Sequence, residues 1–517
     1  MSASRVTTTT AVVPVEGNAV EAVRVRVTVS DGLRAKIRAH AGDMASTALK
    51  QLGDFLPGDA REFAALERRL AAVGAERFTA PVLQDVLTAV NADEEFVEAA
   101  VARAREERPL KIHSHRDIPI KVLDGGDACV TTPYATPPPP PASRPGRRRG
   151  VGHRGPTGNG AYPVLAQLGF LGRLSPALSS EVARAAAELA SYVEAEDSMK
   201  ARGLDLDDKT VCSIAHRVAD AGLEARLAED DETEELKGKR VVVALDGGRL
   251  RTRVSGKRGR RRTATGARGY ETPWREPQLL AIYTVDEKGK KTGERPWYEA
   301  TLSGWDELFR LATKLLRRLG AKHAAELVVC GDGASHIWDR VDGLLSRIEI
   351  DRSRVRLFAD FWHAVEYITK AADLVKDWSP EHRARWRRAR RRELYDGKVD
   401  VVIARIGELA VGRRAAAVHE VTNYFRNHRD LMHYDELRAA KLPIGSGAVE
   451  SAIRRVINLR LKGPGCFWEE PNAERMLLLR CRLKSGRWDE LEEDVYRRAS
   501  ATHGRVLELE RRMRIVA

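Results

Sequence analysis

Two apolar runs, each breaking off at an acid set among glycines, constrain this chain more than any other feature. Val241 to Leu245 runs into Asp246-Gly247-Gly248, and Leu327 to Cys330 runs into Gly331-Asp332-Gly333. Short apolar runs without polar alternation suit strands buried on both faces of a largely parallel sheet. The carboxyl ends of such strands line the ligand crevice of an open α/β sheet, so Asp246 and Asp332 are expected to converge there. Around them Leu250, Thr252 and Val254 alternate as a second strand and Leu279 to Val285 forms a third, the three in meander. Trp305 to Leu319 is predicted as an amphipathic helix, Ile337 to Ile348 as another, and Val355 to Ala359 as a strand ending at Asp360.

That succession, β-β-β-α-β-α-β, is the one an RNase H-like nucleotidyl-transferase core uses, and it calls for a third acid from a later helix. The candidate is Glu450, in Leu442-Pro443-Ile444-Gly445-Ser446-Gly447-Ala448-Val449-Glu450-Ser451, where a glycine-rich turn opens a helix. Val449, Ala452, Ile453 and Val456 give that helix an apolar stripe, with Glu450 at its border and Arg454, Arg455 and Arg460 expected on other sides. Three acids at one crevice repel unless cations neutralise them, and Mg²⁺ or Mn²⁺ prefers oxygen ligands. Two such ions about 3.5–4 Å apart activate a water or 3′-hydroxyl and stabilise the leaving oxygen of a phosphodiester. In this reading Asp246 bridges two ions, and Asp332 and Glu450 each complete one. Singly, Asp246-Gly247 and Asp332-Gly333 are also common turn dipeptides and Glu450 suits a helix's first turn. The strand, strand, helix order makes the set informative.

The partner is suggested by charge. Lys plus Arg number 88 against 74 Asp plus Glu, for a net charge of +14, which favours a polyanion, nucleic acid first. The five cysteines are widely spaced and lack a Cys-x-x-Cys pair, so neither a disulfide framework nor a thiolate zinc site is expected. No stretch approaches the roughly 18 apolar residues of a membrane span, and the start of the chain lacks a signal pattern. A cytoplasmic, nucleoid-associated protein is the expectation.

Residues 1–30 read as disordered and 31–135 as a mainly helical region with short strands. In it Phe63, Leu66 and Leu70, then Phe96, Ala100 and Ala104, keep helical spacing, with turn signals at Pro57-Gly58 and Pro81. Ile112, Ile118, Ile120 and Val122 alternate as strand, and residues 136–160 form a Pro/Arg-rich linker holding Pro137 to Pro141 and Arg147 to Arg149. Residues 161–228 read as helical. Pro176 to Ala195 is one predicted helix capped by Ser175, and Met199 to Asp220 is two helices around Gly203. That pair suits a DNA-binding helix-turn-helix or an ordinary helical hairpin. An acidic linker, 229–239, precedes the core.

The strings LDGGR (245–249), WREPQLLAIY (274–283), CGDGASHIW (330–338), DFWHAVEY (360–367) and LPIGSGAVESAIRRVINLRLKG (442–463), followed by Phe467-Trp468, resemble the bacterial ISKra-type insertion-sequence transposases, relatives of the Mutator-like DDE transposases. The resemblance covers about half the chain. It implies metal-dependent DNA cleavage and strand transfer, with catalytic carboxylates at Asp246, Asp332 and Glu450. It also implies an Asp-x-x-His element at Asp360 and His363, where the histidine could touch the scissile phosphate and Asp360 orient it or lie near a metal. His363 could equally cap or pack beneath its helix. The core is expected in two parts, 240–363 and 441–517, around an all-α insertion at 364–440.

Within the insertion, Arg383 to Arg392 interleaves arginines, among them Arg385, Arg387 and Arg388, with Trp386, a pattern suited to phosphate contact plus base stacking or to a solvated basic helix. The acid-free stretch from Gly256 to Arg268, with Lys257, Arg258, Arg260, Arg261 and Arg262, is a second candidate DNA contact, as are Arg249, Arg454, Arg455, Arg460 and Lys462. Upstream, where the family carries a Cys-containing ribbon-like element, this chain has Cys129 in its Pro/Arg-rich neighbourhood and otherwise only the distant Cys212, which speaks against a zinc ribbon. The expected substrate is double-stranded DNA, both terminal inverted repeats and target, held by a homodimer or larger synaptic assembly. Rival readings are an RNase H-fold nuclease without strand transfer and a domesticated DNA-binding protein.

Overall fold

The structure, a computed structural model, describes residues 27, 29–52, 60–107, 109–123, 126–137, 160–226, 232–255 and 270–498. The expected disordered start, most of the Pro/Arg-rich linker and the basic stretch carrying Lys257, Arg258, Arg260, Arg261 and Arg262 lie outside the described residues. The chain divides into two compact units. One runs to Gly222 and resumes at Asp489, and the other spans Leu223–Trp488. Residues from 489 on thus group with the N-terminal unit, whereas the sequence reading kept 441–517 together.

In the first unit, α1 (Asp31–Leu52), α2 (Ala60–Gly74), α3 (Ala80–Asn91) and α4 (Glu94–Glu107) precede a hairpin of β1 (Lys111–Lys121) and β2 (Asp127–Thr136). Pro81 does not mark a turn between helices. The chain passes through a π turn, Ala75–Thr79, straight into α3, where the proline occupies the first turn and needs no N–H. Ile118, Ile120, Val122, Ala128 and Val130 bury one face of the hairpin against Leu87 of α3 and Leu165 of the short α5 (Pro163–Gln167).

The predicted helix from Pro176 to Ala195 is two: α6 (Pro176–Glu188), with Ser175 as its cap, and α7 (Tyr192–Ala201). The break is an N-cap of the capping-box kind, its return bond made one residue earlier. The Ser191 hydroxyl accepts from the Glu194 N–H at 3.0 Å, while the Glu194 carboxylate accepts from the Ala190 N–H at 3.1 Å. Helix α8 (Asp208–Ala225) follows a turn through Gly203 at φ +81°. It begins where Asp207 accepts from the Thr210 N–H at 2.8 Å.

The second unit is built on a five-stranded mixed sheet of β3 (Arg240–Gly247), β8 (Gln278–Val285), β9 (Trp297–Thr301), β10 (Glu326–Gly331) and β11 (Val355–Ala359), in the order β11-β10-β3-β8-β9. Strands β10 and β11 run parallel to the central β3, while β8 and β9 are antiparallel neighbours on its other side. The second strand of the meander is therefore β8 and the third β9, which the sequence reading missed. The stretch expected as the second strand instead forms short two-residue strands off the sheet. Among these, β4 (Leu250–Arg251) pairs with β7 (Trp274–Arg275), and β5 (Val254–Ser255) with β6 (Tyr270–Glu271). Alternation there reflects a hairpin arm, since Val254 and Trp274 stay exposed.

Helices α9 (Trp305–Arg318) and α10 (Ser335–Arg347) cover the sheet, packing Leu308, Leu316, Ile337 and Val341 onto Val241, Val243 and Ile282. Between the end of β11 and the next core helix come α11 (Phe361–Asp373), α12 (Pro380–Tyr395), α13 (Val399–Gly407), α14 (Ala415–Asn427) and α15 (Tyr434–Ala439), helical throughout as expected for 364–440. Then α16 (Gly447–Ala452) continues through a π turn (Ile453–Asn458) into α17 (Leu459–Leu461), followed by α18 (Glu470–Ser485) and α19 (Trp488–Arg498).

A buried ion cluster fixes α18 to β9. The Arg226 guanidinium lies 2.7 Å from Glu299 and 3.3 Å from Glu474 and donates to the Ala300 carbonyl at 2.7 Å. The second Glu474 oxygen accepts from the Leu302 N–H at 2.8 Å. Removing one member strands opposite charges in the interior. Arg226→Leu is therefore expected to cost about 3–5 kcal/mol in urea unfolding, and adding Glu299→Gln and Glu474→Gln should recover part of that loss.

Candidate active site

The parallel register aligns three acids. Leu245 of β3 pairs with Gly331 of β10, and Gly331 pairs with Ala359 of β11. The next residue on each strand is an aspartate, so Asp246, Asp332 and Asp360 leave three adjacent parallel strands at one level. Neighbouring strands lie about 4.8 Å apart, close enough for each carboxylate to feel the others. Asp246 is raised to about 7, first by burial and then by the negative charges of Asp332, Glu450 and Asp360, with the Gly247 N–H opposing. Burial pushes the Cys330 thiol up, and the same three aspartates add to it.

Each aspartate is held differently. Asp246 and Asp332 are half-buried and accept one near backbone N–H each, from Gly247 at 2.7 Å and Ala334 at 3.0 Å. Asp360 is buried, 3% exposed, and both its oxygens are engaged. One accepts from the His363 N–H at 2.8 Å, capping α11, and the other accepts from the Ser446 N–H. The Phe361 N–H also donates to the Ile444 carbonyl at 3.0 Å. Asp360 thus fastens the turn that launches α16 to the end of β11. It holds the His363 backbone, and the expected orientation of the imidazole by Asp360 is not what the geometry gives. The His363 ring Nδ1 lies 3.6 Å from Glu366.

Helix α16 packs on β3 and β8. Its apolar stripe is as the sequence implied, with Val449, Ala452 and Val456 fully buried. Glu450 sits in the first turn and is exposed, so its carboxylate is available at the rim of the acid level.

The side next to the Asp332 loop is aromatic and was not foreseen. Tyr367 and Tyr424 stack at 3.7 Å with an interplanar angle of 4°, and the His363 ring stands 5.5 Å from Tyr367 and 6.1 Å from Tyr424. A Cβ on Gly333 would come 2.2 Å from the Tyr424 ring, so only glycine lets the Asp332 loop lie against it. The Tyr424 hydroxyl is buried without a hydrogen-bond partner among the described residues. Tyr424 lies far from every motif in sequence, and no local signal could have flagged it.

The donor set fits Mg²⁺ or Mn²⁺ by type, since Asp246, Asp332 and Glu450 offer carboxylate oxygens only, and burial together with their repulsion raises Asp246. Among the described residues no three His, Cys, Asp or Glu side chains are drawn into a closed cation-holding group.

The expected DNA-contact residues separate. Arg249, Arg385, Arg388, Arg454 and Lys462 are exposed, and Arg387 is half-buried. Arg455 is half-buried and donates to the Tyr298 hydroxyl at 2.6 Å. Arg460 does not project outward as expected. It is 4% exposed, with its guanidinium 5.0 Å from the Trp468 ring centre. Trp386 is half-buried, 5.5 Å from Trp378 and 5.4 Å from Arg390.

Compared with protein-family models, curated proteins and solved structures, the chain gives no match.

The carboxyl group of Asp246 binds its proton more tightly in the folded chain than its ordinary value of 3.8 allows. Its contribution to stability is therefore complete below about pH 4 and is lost as the pH rises through 7. In chelator-containing buffer Asp246→Asn should be more stable than the natural chain at pH 8, by up to about 4 kcal/mol, with little difference near pH 4. Urea titrations at the two pH values measure this, and Mg²⁺ should narrow the gap at pH 8.

Proposed function

We propose that this chain is a DDE-type transposase of the ISKra-like, insertion-sequence kind, with Asp246, Asp332 and Glu450 as its catalytic carboxylates. The observation that carries the reading is the register Leu245–Gly331–Ala359, after which three parallel strands each deliver an aspartate. The strand succession β-β-β-α-β-α-β, with a later helix bearing Glu450, supports an RNase H-like reading of the sheet. Motifs spread from residue 245 to 468 agree with the family in order.

Asp246, Asp332 and Glu450 would hold Mg²⁺ or Mn²⁺, two ions in the family's manner. Bound there, such ions supply an activated water or 3′-hydroxyl and a stabilised leaving oxygen. The chain's own groups do the rest. Asp360 keeps α16, and with it Glu450, in register with the sheet. The Tyr367–Tyr424 stack shields one side of the site from water. Exposed Arg249, Arg385, Arg388, Arg454 and Lys462 suit phosphates of the terminal inverted repeat and target duplex. Synapsis of two ends implies a homodimer or larger assembly, acting at the nucleoid in the cytoplasm. Among the described residues no helix is long and apolar enough to cross a membrane.

Asp246→Asn, Asp332→Asn and Glu450→Gln should each abolish Mg²⁺-dependent cleavage of a duplex ending in the element's repeat while leaving DNA binding intact. Losing one ligand of a coupled site costs nearly as much as losing all. The natural chain should also join the cut end covalently to plasmid DNA, with Ca²⁺ supporting binding only. Cut ends with no joined product under any metal would replace transposase by nuclease.

Changing Arg385, Arg387 and Arg388 together to Ala should flatten the salt dependence of duplex binding by about one unit of slope for each phosphate left without its arginine. Filter binding across a salt series reads the slope, and an unchanged slope assigns this helix to solvent.

A further inference from the structure

A cleft of about 860 Å³ lies between the start of α11 and the basic face of α12, within the roughly 300–1,000 Å³ usual for ligand clefts. Its lining includes Trp362, Arg385, Arg388, Arg391, Arg392 and Tyr395. The arginines fall at helical spacing that puts them on one side of α12. Trp362 is 49% exposed, a large apolar surface left open beside concentrated positive charge. The Arg391 guanidinium lies 5.3 Å from the Trp362 ring centre. Arg385, Arg388 and Arg391 make no ion pair among the described residues, unlike Arg390 and Arg392, which pair with Glu393 and Asp396.

The cleft adjoins the acid level. Trp362 is two residues beyond Asp360, and a Cβ on Gly445 would come 2.8 Å from its Cδ1 atom. One edge of the indole thus rests on the turn that Asp360 pins and that leads to Glu450. A ring fixed on one edge and flanked by free guanidinium groups has the composition of a base-stacking platform with a phosphate grip.

We infer that this cleft binds one unpaired nucleotide of a DNA strand, its base stacked on Trp362 and its flanking phosphates held by Arg385, Arg388 and Arg391. The site is distinct from Trp386, which is less exposed and does not line the cleft. It takes a base that has left the duplex, so it recognises single-stranded or splayed DNA, with little regard to sequence because every base has a π face. The inference rests on the proposed action at DNA strand ends, but its test reads binding without cleavage.

The test uses the full chain in chelator-containing buffer, a short oligothymidylate and a blunt duplex of equal length, with affinities measured by fluorescence anisotropy. Trp362→Ala should weaken oligothymidylate binding by about tenfold or more, the order expected when one base–aromatic stack is removed, and leave duplex binding unchanged. Trp362→Phe should retain most of the affinity. Replacing one thymine by 2-aminopurine should give fluorescence quenching on binding that Trp362→Ala removes. Equal loss for both DNAs, no loss for either, or no oligothymidylate binding by the natural chain overturns the inference. A chain that binds this way but cuts nothing upholds the cleft and refutes the transposase reading, while one that joins ends with Trp362→Ala unaffected does the reverse.

Discussion

Like charges at neighbouring strand ends are costly, and the pairing of β3, β10 and β11 imposes that cost three times at one level of the sheet. The chain answers it unequally. Asp360, the most buried, has both oxygens satisfied by backbone N–H groups brought from α11 and from the turn before α16. Asp246 and Asp332 receive one near N–H each, and burial, with the neighbouring acids adding to it, raises Asp246. An acid with both oxygens bound to backbone is a structural fastener. Acids left partly unsatisfied on the open side of the sheet retain capacity for a cation.

The same fastener joins two parts of the chain that are distant in sequence. Because Asp360 closes β11 and also receives the Ser446 N–H, the helical stretch between them returns to the sheet where it left. The Tyr434 hydroxyl, donating to the Ala359 carbonyl at 2.9 Å, reinforces that return. Tyr424 reaches the Asp332 loop from the same stretch, across the position where Gly333 has no side chain. The helical stretch therefore supplies one wall of the site, and a change in its packing would be felt at Asp332.

What the sequence disclosed follows from how local each signal was. The runs 241–245, 279–285 and 327–330 are buried on both faces, and 355–359, an edge strand with Arg356 exposed, keeps an apolar end, so composition exposes them as strands, and the acids that end them were legible. Strand β9, Trp-Tyr-Glu-Ala-Thr, carries a glutamate that is buried only because Arg226, far off in sequence, neutralises it. No local pattern announces such a strand. The Ser191 to Glu194 capping box was present in the sequence but was overridden by helical spacing on either side. Arg460 read as an outward cation because its partner, Trp468, is placed by a turn that periodicity does not describe.

Charge density is the feature that sequence reading most readily overvalues, and α12 shows how geometry divides it. Arg383 donates to the Val375 carbonyl at 3.1 Å and faces Asp373, Arg390 grips Glu393 through two bonds, and Arg392 holds Asp396. The first ties α12 to the end of α11, and the other two are pairs within α12 and its C-cap. Arg385, Arg387, Arg388 and Arg391 have no such acid among the described residues, and α12 carries an excess of positive charge that its own fold does not consume. Desolvating guanidinium groups without a counter-charge is unfavourable, so Arg385, Arg388 and Arg391 stay exposed, next to the half-exposed indole of Trp362. Charge and apolar area stay exposed together where the acid level meets the helical stretch from α11 to α15, and a nucleotide is a chemical unit that presents both an anion and a flat ring.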